Sequence, residues 1–180
     1  NDGCSTPPDS AMVTIVVNPL PVVSFSADTL SGCAPVCTDF KDMTTLASGF
    51  DSLWAWNFGD GKTDTAENPS HCYSTPGVYD VSLTVTTNKG CTSSLTISKM
   101  ISVYSYPIAA FTFAPQPTTI LSPTITFTDR STDAYGIASW LWNFGDGLDV
   151  PSAIQNPTYT YQDTGIYCTT LTVTNVHGCM

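Results

Sequence analysis

Charged residues are scarce in this sequence. Only 11% of its 180 residues are Asp, Glu, Lys or Arg, against about 25% in ordinary soluble domains. There is a single glutamate, Glu67, and the net charge is −10. The only cations are Lys41, Lys62, Lys89, Lys99 and Arg130. Five dispersed cations cannot neutralise a run of phosphates, so the composition excludes sequence-independent nucleic-acid binding and attraction to anionic membrane surfaces.

Long apolar runs and good helix formers are also lacking. No stretch approaches the roughly 18 apolar residues that a membrane helix needs, so we predict no membrane insertion in this segment. Polarity comes instead from 28 Thr and 19 Ser. Together with the many aromatic, Gly, Pro, Asn and Asp residues, this composition predicts an all-β protein.

Seven cysteines stand out in so small a chain: Cys4, Cys33, Cys37, Cys72, Cys91, Cys168 and Cys179. At this density thiols favour disulfide bonds and an oxidising, extracellular compartment. A zinc site is the alternative, but zinc ligands come as clustered Cys-x-x-Cys pairs with His, and here only Cys33 and Cys37 are close together.

An internal repeat organises the chain. Residues 54–61 (WAWNFGDG) recur at 140–147 (WLWNFGDG), and residues 68–73 (NPSHCY) correspond to 156–161 (NPTYTY). Each copy ends in Gly-Cys, and a third Gly-Cys stands at residues 3–4. These two correspondences have offsets of 86 and 88 residues. A period of roughly 87 to 88 residues with many short strands indicates tandem domains rather than a solenoid.

The position of the third Gly-Cys predicts how the domains are divided. Alternating apolar residues follow Cys91 and Cys4, but only Met180 follows Cys179. We therefore predict that residues 1–19 are the final strand of a preceding repeat, that 20–106 form a complete domain, and that 107–180 lack a final strand. The chain is then either a window of a longer array or a subunit whose residues 12–17 complete a neighbouring subunit.

Strand patterns within one repeat predict the fold class. Alternating or apolar runs predict strands at 22–26, 36–41, 53–58, 70–73 and 78–86, followed by a last strand after Gly90. Trp54, Trp56 and Phe58 alternate onto one face of the third strand. So many short strands within about 88 residues are typical of an immunoglobulin-like Greek-key β-sandwich.

These motifs carry a family resemblance. The run WNFGDG, followed by Asn-Pro, by His or Tyr, and by Gly-x-Tyr with alternating Leu-x-Val, resembles the polycystic-kidney-disease (PKD) domain over about residues 20–180. The Gly-Cys ends resemble tandem repeats of bacterial cell-surface and type IX-secreted proteins. The resemblance implies an immunoglobulin-like extracellular module in which Trp56, Asp60, Trp142 and Asp146 are structural.

Within such a sandwich the repeat predicts two cysteine pairs. Cys37 and Cys72 lie on strands expected to pair, and both are replaced by Thr in the second copy, which supports a bridge between them. We expect Cys33 in the first loop, at the end of the first domain that faces the second domain. We therefore expect it to form an interdomain pair with Cys179. Cys4, Cys91 and Cys168 are left without assigned partners.

Candidates for catalysis and ligand binding are few. His71 and His177 occupy different repeat positions without a nucleophile motif, so we predict no enzyme activity. Asp60 and Asp146 are expected to cap a turn. Trp54 and Trp140 invite a sugar-stacking interpretation, although they share the core-facing side of their strands. The Asp-rich loops supply oxygen ligands that suit calcium, so calcium is a candidate ion, although the spacing of these residues matches no known calcium-binding motif. No other metal or cofactor is predicted.

Four Asp-Ser/Thr-small sequences resemble the O-glycosylation signal of bacterial surface proteins. Their hydroxyl residues are Ser10, Thr29, Ser52 and Thr65. The alternative is ordinary turn or strand-start chemistry.

Two functions follow from the sequence. The first is an extracellular structural or adhesive segment, a stalk or filament of a large bacterial surface protein, whose partners are neighbouring repeats or identical subunits. The alternative is an accessory module of a secreted hydrolase that binds a carbohydrate or protein surface.

Overall fold

The computed structural model describes Val13, residues 15–116, Thr119, and residues 123–148 and 150–180. These residues form β-strands, turns and extended chain without an α-helix, so the all-β prediction is confirmed. In the same ranges, no helix is long and apolar enough to cross a membrane. Cys4, Ser10 and Met12 lie outside the described residues.

The first sandwich contains eight strands in two sheets. They are β1 (Phe25–Ala27), β2 (Ser31–Cys33), β3 (Val36–Asp42), β4 (Asp51–Asn57), β5 (Thr63–Asp64), β6 (Ser70–Tyr73), β7 (Gly77–Thr87) and β8 (Thr92–Tyr104). One sheet has the order β1-β3-β6, and the other has the order β2-β8-β7-β4-β5.

Among its described residues, the second sandwich repeats this plan with fewer strands. They are β9 (Phe111–Ala114), β10 (Thr124–Asp129), β11 (Ile137–Asn143), β12 (Thr158–Thr160) and β13 (Thr170–Asn175). The strands β12-β10-β9 form one sheet, and β11 pairs with β13 in the other.

Each sandwich has its own aromatic core. Trp56 packs edge-on against Phe25 with ring centres 5.1 Å apart, and Trp142 packs against Phe111 at the same distance. Both tryptophans are at most 1% exposed. Alternation along β4 and β11 therefore directs the larger aromatic of each WNFGDG motif between the two sheets.

The sequence pattern does not predict two short strands, β2 and β5. The sequence predicts a loop at Cys33, but this residue ends β2. This strand runs parallel to the end of β8 and places Cys33 opposite Tyr104. The two-residue β5 pairs with β4. Both strands are too short to show a period, and only the neighbouring backbone makes them strands.

The chain ahead of the first sandwich is extended but unpaired. Val13 and residues 15–20 belong to no strand, and Val13, Ile15, Val16 and Val17 are 74–87% exposed. A final strand of a preceding repeat in this segment stays a prediction.

Candidate functional site

The side chains of Asn57 and Asp60 hold the turn after β4 through internal hydrogen bonds. The Gly59 N–H donates to Asn57 Oδ1 at 2.9 Å, and the Lys62 N–H donates to Asp60 Oδ1 at 3.1 Å. The other carboxylate oxygen of Asp60 lies 2.9 Å from His71 Nε2. His71 in turn stacks on Phe58 with ring centres 4.1 Å apart. Asp60 thus joins its own turn to strand β6.

The second sandwich builds the same turn with a different partner. Asp146 Oδ1 accepts from the Leu148 N–H at 3.1 Å, while Asp146 Oδ2 accepts from the Tyr159 hydroxyl. Tyr159 stacks on Phe144 at 3.9 Å, as His71 does on Phe58. His and Tyr are interchangeable here because each is a planar ring that can hydrogen-bond a carboxylate through its far edge. The sequence predicts the caps but not these hydrogen bonds between the two sheets of each sandwich.

The two aspartates have depressed pKa values. For Asp60, burial opposes ionisation, but the hydrogen bonds from His71 and the Lys62 N–H outweigh it and lower the pKa. For Asp146, the Tyr159 hydroxyl lowers the pKa. The same bond raises the pKa of Tyr159 to about 12. Both carboxylates are therefore ionised structural acceptors, because hydrogen bonds to a carboxylate favour its charged form.

The first tryptophan of each motif also forms a hydrogen bond within the protein. Trp54 Nε1 donates to Asp42 Oδ2 at 2.7 Å, and Trp140 Nε1 donates to Asp129 Oδ2 at 2.7 Å. Both side chains are partly buried against their cores. Each indole N–H is therefore satisfied within the protein, and each ring is held beside its core.

A disulfide ties β3 to β6 in the first sandwich. Cys37 and Cys72 are directly opposite each other, and their Cα atoms are 4.0 Å apart. The equivalent residues of the second sandwich, Thr124 and Thr160, are also opposite and share a 2.8 Å hydrogen bond between their hydroxyls. At this cross-strand position, the two paired strands can therefore be joined either by a disulfide or by a hydrogen bond between hydroxyls.

The junction between the sandwiches is covalent. Cys33 bonds to Cys179, with a Cα–Cα distance of 5.7 Å. Beside it, His177 stacks on Tyr104 with ring centres 3.6 Å apart. Asn175 Nδ2, which is buried, donates to the Ser105 carbonyl at 3.0 Å. The last hairpin of the second sandwich is thus fastened to the end of β8.

The sequence predicts no catalytic role for His177 and does not indicate its partners at the junction. One signal in the sequence indicates that His177 lies at the junction. It stands two residues before Cys179, and the predicted Cys33–Cys179 pair brings this part of the chain to the junction. Tyr135 completes the cluster, packing edge-on against His177 at 4.9 Å.

The remaining predicted residues are not brought together. Cys91 and Cys168 carry free thiols on different sandwiches. Thr65 is exposed, whereas the Ser52 hydroxyl donates to the Thr86 carbonyl and Thr29 is half-buried. Among residues 15–116, 123–148 and 150–180, together with Val13 and Thr119, no group of three or more His, Cys, Asp or Glu side chains could hold a metal ion.

An open groove distinguishes the second sandwich. It has a volume of about 610 Å³, and Phe111, Phe113, Ile125, Phe127, Tyr161 and Tyr167 provide most of its apolar lining. Its lining residues Gly165 and Tyr167 correspond in the repeat to Gly77 and Tyr79 at the start of β7.

Short segments of two bacterial collagenases are similar to this chain. One is a microbial collagenase from Vibrio alginolyticus, 34% identical over 89 residues, which are 49% of this chain and 11% of the relative. The other is Collagenase ColA from Bacillus cereus, 45% identical over 50 residues, or 28% of this chain and 5% of the relative. The chain thus spans only a small part of the length of these relatives.

Two solved structures of PKD domains are similar to about half of the chain. The PKD1 domain of Vibrio anguillarum Epp is 31% identical, with a TM-score of 0.43 over 48% of this chain and 99% of that domain. The PKD1 domain of the Vibrio cholerae metalloprotease PrtV is 25% identical, with a TM-score of 0.41 over 46% of this chain and 98% of that domain.

The family itself is identified from the sequence. Residues 18–103 and 105–180 each match the model of the PKD domain. The two matches fall on the two sandwiches and include both WNFGDG turns. The chain belongs to the PKD-domain family and contains two tandem copies of the domain.

Proposed function

We propose that this chain is a non-catalytic, extracellular accessory module of a bacterial hydrolase, which holds the enzyme near an insoluble polymer. The observation that carries the proposal is the similarity to segments that make up 11% and 5% of two collagenases. A small, self-contained module within a much larger enzyme suits an accessory role. The motif side chains support it, because Asp60, Asp146, Trp54 and Trp140 are engaged in internal hydrogen bonds.

An extracellular location is part of this proposal. Two disulfides and a low content of charged residues favour an oxidising compartment. The names of the two relatives favour a fibrous protein such as collagen as the target.

The candidate contact surfaces are the outer faces of two sheets, the one that contains β4 and the one that contains β11. Leu53 is 64% exposed on the first face, and Leu141 is 53% exposed on the second. Leu53 lies opposite Thr86, and Leu141 lies opposite Thr172. Each sandwich therefore presents methyl groups beside hydroxyls, a mixture that can contact a fibre through burial of apolar area and hydrogen bonds.

Co-sedimentation tests this proposal. The chain is incubated with insoluble collagen, chitin or cellulose, and the free fraction is measured. We expect saturable binding to collagen that weakens about tenfold in Leu53→Asp/Leu141→Asp, a change of about 1.4 kcal/mol. Val176→Asp is the matched control, because Val176 is 57% exposed in the last hairpin and should not matter. Absence of binding to all three polymers would contradict the accessory role.

A stalk or spacer is the second candidate, and the junction favours it. The Cys33–Cys179 bond and the His177–Tyr104 stack restrict motion between the sandwiches. Small-angle scattering should show a wider distribution of overall dimensions for Cys33→Ser/Cys179→Ser, with both sandwiches still folded. An unchanged distribution would argue against a stiffening role for the bond.

O-glycosylation remains a prediction for Ser10, Thr29, Ser52 and Thr65. The exposed Thr65 offers the most accessible hydroxyl of those described. Intact mass of the protein from its natural source should exceed that of the polypeptide and decrease in Thr65→Ala. A mass equal to the bare chain would refute the modification.

A further inference from the structure

The two disulfides enclose very different lengths of chain. Cys37 and Cys72 are 35 residues apart, whereas Cys33 and Cys179 are 146 residues apart. The longer loop contains the shorter one, together with strands β3 to β8 of the first sandwich and β9 to β13 of the second. A pull on the chain therefore has a short covalent path from Cys33 to Cys179, and this path bypasses residues 34–178.

The second sandwich lies beside this path. The chain enters it after Tyr104, where the Ser105 carbonyl accepts a hydrogen bond from Asn175 Nδ2 at 3.0 Å. The last hairpin returns to the same place, because the Asn175 N–H donates to the Cys179 carbonyl at 2.9 Å and Cys179 bonds to Cys33. Cys179 thus lies at the junction where the chain enters the second sandwich, so the chain between Tyr104 and Cys179 is not in the line of a pull.

Only the start of the first sandwich stays in the line of a pull. The Asn18 carbonyl lies 4.0 Å from Cys91 Sγ, just before β8, and Cys33 lies opposite Tyr104 at the end of β8. Residues 18–33 therefore run from one end of the sandwich to the other. The 13 residues of β8 span roughly 40 Å at 3.3 Å per residue. Because residues 18–33 extend to no more than about 55 Å, pulling them out would lengthen the chain very little.

The strands in this segment are arranged to resist a lengthwise pull. β1 pairs antiparallel with β3, and β2 pairs parallel with β8. Because the hydrogen bonds between strands run across the strand direction, a pull along β1 and β2 loads several of them at once. Phe25 fastens β1 further, since it is 6% exposed and packs against Trp56 in the core.

We propose that the Cys33–Cys179 bond carries the tension on this chain and shields the chain between the two cysteines from it. The oxidised protein then transmits a pull without lengthening. Once the bond is reduced, both sandwiches come under tension in series, and their unfolding lengthens the chain by about 500 Å, the extended length of the loop. This proposal rests on the proposed role as a tether between an enzyme and a polymer, since that role places the chain under tension.

Force spectroscopy on single molecules of the full chain, held through tags at both ends, tests the proposal. We expect the oxidised parent to show no lengthening step above about 50 Å. The same chain in dithiothreitol should gain about 500 Å of contour length. Dithiothreitol supplies two electrons and two protons, closes to its own cyclic disulfide, and leaves Cys33 and Cys179 as thiols. Equal lengthening in both conditions would overturn the proposal.

Matched double variants separate this bond from the other disulfide. Cys33→Ser/Cys179→Ser should gain about 500 Å without a reductant, and this total length is the same even if the variant folds poorly. Cys37→Ser/Cys72→Ser is the control, because its bond lies inside the loop and carries no load. The control should stay as short as the oxidised parent, even with a weakened first sandwich. Lengthening of the control without a reductant would overturn the proposal.

The rate of reduction identifies the loaded bond directly. Cys179 is 1% exposed, so reduction at rest should be slow, because exchange depends on access to the sulfur. With dithiothreitol present, the lengthening step should occur sooner as the applied force rises, because tension acts along the S–S bond that is being broken. A rate independent of force would overturn the load-bearing role. None of these measurements requires the chain to bind collagen, so their failure is distinguishable from failure of the proposed accessory role.

Discussion

The two sandwiches have the same motif turn, but they are held together differently. The first is linked by the Cys37–Cys72 disulfide and closed by β8. The second has a threonine pair in place of the disulfide and an open groove in place of the closing strand. Trp56 and Trp142 are nevertheless equally buried. The comparison teaches that the motif and its aromatic core are common to both PKD sandwiches, while the cross-strand link between the paired strands varies between copies.

The largest expected effect comes from exchanging the cross-strand links. Cys37→Thr/Cys72→Thr should destabilise the first sandwich by about 4 kcal/mol, the loop-closure value for a separation of 35 residues. The reverse exchange, Thr124→Cys/Thr160→Cys, should stabilise the second sandwich in oxidising buffer only. Denaturant unfolding under oxidising and reducing conditions measures both. A loss below about 1 kcal/mol in the first exchange would show that the two links are equivalent.

Core truncation should distinguish the closed sandwich from the open one. Leu83→Ala should cost about 3 kcal/mol, because its side chain is completely buried and leaves a cavity. Leu171→Ala should cost roughly half as much, since Leu171 is already partly in contact with water. Chemical denaturation of each variant at low protein concentration gives the two values. Equal costs would mean that the open groove does not weaken the second core.

Acid should remove the contribution of Asp60. Its pKa in the folded chain is below the ordinary value of 3.8, so the ionised carboxylate stabilises the fold above that pH. The contribution disappears as the pH falls through the folded pKa. Asp60→Asn should therefore be less stable than the parent near neutrality and equal to it in strong acid. A difference that persists in strong acid would point to packing instead.

The smallest effect concerns the second turn. The bond to Asp146 raises the pKa of Tyr159 to about 12. Asp146→Asn should lower that pKa toward 10, because an amide stabilises the neutral phenol less than a carboxylate does. Phenolate absorbance during an alkaline titration measures the shift, with Asp133→Asn as a control at a distant loop. An unchanged titration would show that Asp146 does not hold the Tyr159 proton.

Most of the fold could be predicted because its signals are local. The alternation of aromatics in β4 and the Gly-Asp-Gly turn after it depend on neighbouring residues, and they occur twice. The bounds of β6 agree with the predicted strand at 70–73, and β7 extends the one predicted at 78–86 by one residue at each end. The cysteine pairs were accessible for another reason, because the repeat shows which cysteines are replaced together and which lie at domain ends.

The candidate contacts between distant residues were less accessible. Nothing in the sequence near Asp60 indicates that His71 will be its partner, and the replacement of His71 by Tyr159 obscures the shared role. The short β2 shows no period, so its parallel pairing with β8 could not be seen. Each of these contacts joins segments that meet only after the two sheets have packed.

The sequence by itself determined the all-β class, the tandem PKD repeat and the two aromatic cores. It could do so because side-chain alternation and turn chemistry depend on a few neighbouring residues, and both signals occur in each copy of the repeat. The tertiary structure alone decided the stack of His177 on Tyr104, the bonds from Asp60 and Asp146 to their partners, and the contrast between a closed and an open sandwich. Those features depend on distances between atoms that are remote in the chain, and only packing sets such distances.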